Sequence, residues 1–155
     1  MKNLIAPAVL AVCAPAFAGG SFVNWESPHV SPLDLTPDGS RLLAVNTADD
    51  RLEVFAVTAQ GLVAIGSVPT GLDRVSVRAR TNTEAWVVNH VSDSVSVVDL
   101  DSMNVVATLH PGDEPADVVF AGNPQRAFVS VSQLNQVKVY DPANLSAAPV
   151  AIAIA

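Results

Sequence analysis

From residue 33 onward, apolar side chains fall at alternate positions in short runs divided by polar turns, which is the period of half-buried strands. The pattern is clearest over residues 85–99, where the runs 85–88 and 95–98 flank a turn built on Asn89, Ser92, Asp93 and Ser94. A version of this hairpin recurs on each side. Leu43-Ala44-Val45-Asn46 aligns with Trp86-Val87-Val88-Asn89 and again with Phe128-Val129-Ser130, at a spacing of about 42 residues. Leu52-Glu53-Val54-Phe55, Val95-Ser96-Val97-Val98 and Val137-Lys138-Val139-Tyr140 follow the same spacing. Each hairpin is preceded by a predicted strand, at 33–36, 75–78 and 117–120, and followed by another, at 62–67, 105–109 and 150–154. Turn residues stand between them at Pro37-Asp38-Gly39, Asp99-Leu100-Asp101-Ser102, Asn123-Pro124 and Asp141-Pro142-Ala143-Asn144.

Four short strands in a unit of about 42 residues is the period of a propeller blade, whereas helical repeats would need a 3.6 period that the chain lacks. The reading is all-β, a β-propeller of four-stranded antiparallel blades with three blades present, at about 28–71, 72–114 and 115–155. The run Trp86-Val87-Val88-Asn89 followed by Asp93-Ser94-Val95-Ser96-Val97-Val98-Asp99, with Pro37-Asp38-Gly39 ahead of Leu43 to Asn46, resembles the YVTN-type β-propeller repeat of bacterial secreted and surface proteins. The resemblance covers about 28–155, although the middle unit lacks the Pro-Asp-Gly turn and Val131 stands where an Asn is due. It implies a propeller fold, and some propellers similar to this family hydrolyse sugar lactones around a central channel. Closed propellers have about 4 to 8 blades. The expectation is therefore the N-terminal part of a longer propeller, or closure with a second copy of the chain.

The start of the chain reads differently. Residues 1–18 carry Lys2, an apolar run over 4–12 and Ala16-Phe17-Ala18 before Gly19, the pattern of a cleaved secretory signal. That run is too short to span a bilayer. A lipoprotein site at Cys13 would place bulky Val12 before the lipidated residue, so cleavage after Ala18 is preferred and the expected location is periplasmic, extracellular or cell-surface. Cleavage removes the only cysteine. Residues 19–27 are a lead-in, with Trp25 as a packing residue.

Charge narrows the partners. The net charge is −7 with no basic cluster, which excludes the cationic footprint that nucleic acid or an anionic membrane surface requires. Charged residues make up 15% and apolar ones 50% of the chain, so it folds rather than staying disordered.

Candidate chemistry lies in the loops where propellers bind. The loops entering each unit supply His29, Asp73, Arg74, Asp113 and Glu114. The loops between each unit's middle strands supply Asp49, Asp50, Arg51, His90, Asp93, Gln133 and Asn135, and in this register both sets emerge on one face. The rim is mainly acidic, suited to a cation or a polyhydroxylated ligand. Plainer roles compete: Asn46 and Asn89 as turn caps bonding nearby backbone, His29 as a loop residue bonding backbone, His110 before Pro111-Gly112 as turn chemistry, Asp99, Asp101 and Asn104 as a capped turn. No haem, zinc-protease, serine-hydrolase or phosphate-loop motif occurs, and neither a cofactor nor a metal site is expected. The chain reads as a non-catalytic exported binding or scaffold module whose face engages a protein or glycan. The alternatives are a propeller-type lactone hydrolase using His29 or His90 with Asp73 or Glu114, and a docking propeller of a larger redox protein.

Overall fold

The computed structural model describes residues 27–154. The signal segment at 1–18 and Trp25 lie outside them. Among the described residues there are twelve strands, one 3-10 turn at Thr47–Asp49 and no α-helix. The first sheet holds β1 (Leu33–Leu35), β2 (Arg41–Asn46), β3 (Arg51–Thr58) and β4 (Gly61–Pro69). The second holds β5 (Arg74–Ala79), β6 (Glu84–Asn89), β7 (Ser94–Asp99) and β8 (Asn104–Leu109). The third holds β9 (Pro115–Ala121), β10 (Arg126–Val131), β11 (Gln136–Tyr140) and β12 (Val150–Ala153). Each sheet is an antiparallel meander in chain order, the blade that the repeat predicts. β1 stops before Thr36 because the 37–39 turn begins there: Gly39 takes a positive φ of 69°, and its N–H bonds the Thr36 carbonyl at 2.7 Å. β4 is longer than the predicted 62–67, because its pairing with β3 continues from Thr58↔Gly61 to Arg51↔Pro69.

Alternation sends each sheet's side chains to two faces, and the sheets stack through them. Leu43, Leu52, Val54 and Val68 of the first blade pack on Val77, Ala85, Val87 and Val98 of the second. The other face of the second blade carries Val75, Trp86, Val88, Val95 and Val97, which pack on Val118, Ala127, Val129 and Tyr140 of the third. Trp86 is fully buried and meets the rings of Phe120 and Tyr140 edge-on, at centroid distances of 5.3 and 6.3 Å. The middle blade is thus apolar on both faces, which explains why its strands β6 and β7 are buried almost throughout.

The turns repeat as faithfully as the strands. Asp50, Asp93 and Asn135 all adopt left-handed backbone at the same point of their hairpins, with φ of 56°, 51° and 47°. Asp73 and Glu114 do so in the two loops that link blades, both at φ 54°. Asp and Asn tolerate this conformation better than other side chains.

Candidate functional site

Two kinds of loop build the rim: the links entering β5 and β9, and the hairpins β2–β3, β6–β7 and β10–β11. The left-handed residue in each turns the chain so that its neighbours meet across blades. The Asp93 carboxylate accepts the Glu114 N–H at 2.9 Å, and Glu114 Oε2 accepts from Gln133 Nε2 at 2.8 Å. His90 Nε2 stands 4.0 Å from the same Glu114 carboxylate. Three loops of the second and third blades therefore converge on Glu114. At the first junction Asp50 pairs with Arg74. Asp49 is exposed and accepts from Asn46 Nδ2 at 3.1 Å, and Asp113 is exposed. Asn135 is exposed, its carbonyl taken by the Ile154 N–H.

Several residues sit otherwise than the sequence suggests. Arg74 does not present its side chain on the rim: it is fully buried and also donates to the Thr47 carbonyl at 3.4 Å. Arg51 reaches along its own blade to Ser67 Oγ at 3.2 Å. The Asp73 carbonyl accepts the His90 N–H at 2.8 Å, and its carboxylate accepts the Ser27 N–H at 3.3 Å. His29 bonds a side chain and not backbone, Thr47 Oγ1 at 2.6 Å. The Thr47 hydroxyl gives its proton to the Arg74 carbonyl, so His29 Nε2 is the donor. Asn46 and Asn89 likewise bond side chains: Asn46 Nδ2 reaches Asp49 and Glu53, and Asn89 Nδ2 reaches Ser94 Oγ and Ser96 Oγ. The hairpin register places Asn89 directly opposite Ser94, so the serine side chain of the next strand is within its reach. The Asp99 carboxylate does cap its turn, accepting the N–H groups of Ser102 and Asp101, and those bonds hold it below the usual carboxylate range.

His90 has defined chemistry. Its Nδ1 lies 3.0 Å from the Pro115 carbonyl, which can only accept, so Nδ1 donates a proton there and Nε2 faces the Glu114 carboxylate.

A second polar group had no local signal in the sequence. The inner strands β1, β5 and β9 lie side by side, and they bring Asp34, Ser76, Arg78 and Asp117 together with Ser31. Arg78 donates to Asp117 at 3.0 Å and to Ser31 Oγ at 2.6 Å, and Ser76 Oγ donates to Asp117. Asp34 accepts the Ala79 N–H across the blade junction at 2.8 Å. Burial pushes the Asp117 carboxyl up, but the bonds from Arg78 and Ser76 outweigh it and leave the group below its ordinary range. The available clue was polar residues at alternate positions in strands that are otherwise apolar.

Among the described residues no group of three or more His, Cys, Asp or Glu side chains is placed to hold a metal ion, and no helix is long and apolar enough to cross a membrane. No protein-family model matches the chain, and no curated protein does. Solved structures do match. The hydrazine synthase of Kuenenia stuttgartiensis is similar with a TM-score of 0.71 at 23% identity, over 90% of this chain and 40% of that one. A putative 6-phosphogluconolactonase from Bacteroides uniformis has a TM-score of 0.66 at 18% identity, over 79% of this chain and 43% of its own. Another from Bacteroides fragilis has 0.65 at 15%, over 79% and 38%. This chain thus spans about two fifths of the length of these structures. At these identities the likeness is one of fold: the described residues are three adjoining blades of a β-propeller.

Proposed function

We propose that this chain is the three-blade part of an exported YVTN-type propeller, directed to the periplasm or cell surface by residues 1–18, whose acidic rim binds a protein or glycan without catalysis. The supporting observation is the convergence of Asp93, Glu114 and Gln133 from separate loops into one hydrogen-bonded surface. Such cross-blade bonds hold a recognition surface rigid before a partner arrives, which reduces the ordering cost of binding. Further blades, in the same chain or a second copy, complete the ring. The test is capture from an envelope extract on immobilised protein, beside the charge reversal Asp49→Lys/Asp113→Lys at two exposed rim positions. A partner retained by the parent and lost by the variant is expected, and identical recovery on both would overturn the rim assignment.

A second reading, lactone hydrolysis, draws on the fold shared with the putative 6-phosphogluconolactonases and on His90 Nε2 facing Glu114. It expects turnover on a lactone panel that falls in His90→Ala or His29→Ala. Absence of turnover, or turnover indifferent to both changes, would remove it.

A further inference from the structure

β4 is the outermost strand of the first blade, and among the described residues no strand pairs with its far side. Its unpaired N–H and C=O groups form an open edge, which propellers ordinarily keep short. This one is long. A bulge interrupts the outer ladder at the same point in the first two blades, between Val54 and Phe55 and between Val97 and Val98. Beyond it the second blade pairs only Val98↔Val105 and Asp99↔Asn104, whereas the first continues through four residues, from Phe55↔Ala64 to Thr58↔Gly61. β4 consequently has nine residues, against six in β8 and four in β12.

The extension is apolar and uncharged. Leu62 and Val63 fall on opposite faces of β4 by alternation and are 54% and 55% exposed, with Val57 and Ile65 exposed beside them. From residue 54 to residue 72 the chain has no charged side chain, and its first proline there is Pro69. The matching turn of the second blade holds Asp99 and Asp101, and that of the third holds Asp141. Charges and prolines beside a strand edge oppose its pairing with another chain. The first blade thus has the longest outer edge and the fewest guards. Neighbouring blades of a propeller cover sheet faces and leave the outer strands at the perimeter, so further blades would not hide it.

We propose that β4 is a docking edge for an extended, uncharged segment of a partner polypeptide, which adds to the first blade as a fifth strand. Backbone hydrogen bonds along Gly61 to Ala64 supply the attraction, and apolar side chains of the segment lie beside Leu62 on one face and Val63 on the other. Contact area decides against a globular second copy. The four residues beyond the bulge span about 14 Å at about 3.4 Å each, and a strip of that length about 10 Å wide covers about 140 Å². A stable interface takes about 800 Å² from each partner. An extended segment gains its affinity from hydrogen bonds along the backbone instead. The turn between β3 and β4 lies at the opposite end of the blade from the β2–β3 hairpin of the rim, so this site is independent of the acidic surface.

The test is an amide NMR titration of the full chain with a neutral heptapeptide of alternating threonine and valine, at millimolar concentration. Methylating alternate peptide nitrogens leaves it one hydrogen-bonding edge, so that it pairs with a strand without building fibrils. Methylating every nitrogen keeps the side chains and removes the donors. Saturable shifts centred on Leu62, Val63 and Ala64 are expected with the first peptide and none with the second. Leu62→Thr/Val63→Thr, which keeps the strand and removes apolar contact, should weaken binding about two- to tenfold. No saturable shift at β4, or an equal response to the two peptides, would overturn the proposal. So would β4 shifts that follow protein concentration without peptide, because they would mark a second copy on the edge.

Discussion

His90 of the second blade donates through Nδ1 to the Pro115 carbonyl at the start of the third, and Thr47 of the first blade makes the matching bond to the Arg74 carbonyl of the second at 3.1 Å. One position of the repeat is thus an interblade staple filled by two different side chains. Removing one neutral hydrogen bond costs about 1 kcal/mol. His90→Ala should lower the stability by that amount in urea unfolding, and His90→Thr, which places the first blade's own solution in the second, should recover a large part. Equal losses in both variants would show that the imidazole acts through packing and not through this bond.

Trp86 joins the second and third blades by packing on Phe120 and Tyr140, and its Nε1 donates to Glu84 at 2.8 Å. Truncating a buried aromatic of this size costs about 3–5 kcal/mol. Trp86→Ala should therefore bring the chain near the limit of domain stability. Trp86→Leu restores the residue type that the first blade carries at Leu43, which is also fully buried, and should cost clearly less. Thermal unfolding followed by circular dichroism distinguishes the two.

The strands were legible because each blade buries both faces or one, and burial writes itself into alternation: Trp86, Val88, Val95 and Val97 point one way, Ala85, Val87 and Val98 the other. The turn chemistry was legible for the same local reason, as at Asp99. The rim was read only as a set of loops. Whether Arg74 faces solvent or lies beneath Asp50 depends on a meeting between loops far apart in the chain, and no local pattern carries it. The Arg78–Asp117 pair is hidden for the same reason, since its partners belong to different blades. Asn89 was closer to hand: its opposition to Ser94 follows from the hairpin register, which the repeat already defines.

Two partly buried carboxylates tie stability to acid. Burial opposes ionisation of Asp117 and of Glu84, yet Arg78 and Ser76 in one case, and Arg80 and Trp86 in the other, hold both below the usual carboxylate range. A depressed folded-state pKa gives stability that is complete above the unfolded value, about 4, and is lost as pH falls through the folded value. The unfolding temperature should accordingly drop on acidification below pH about 4. Asp117→Asn should start lower at neutral pH and show a shallower acid limb. An acid limb of unchanged slope would mean that the Asp117 ion pair does not contribute.

The outer faces of the array are built like its inner junctions. Leu33 pairs with Ala44 as Val77 pairs with Val87 and Val118 with Val129, but Leu33 is 57% exposed where Val77 and Val118 are fully buried. On the opposite face of the third blade Val150 and Ile152 are exposed at 65% and 49%. If such a face is about 800 Å² and half apolar, covering it gains up to about 10 kcal/mol at about 25 cal/mol per Å². The isolated chain should therefore associate, and the association should resist salt because it is apolar. Leu33→Lys/Ile152→Lys places a charge on each face and should shift the population toward monomer in sedimentation velocity. The same distribution for parent and variant would show that these faces are not the surfaces of association. A parent that forms a discrete dimer at rising concentration would identify a second copy as what covers these faces.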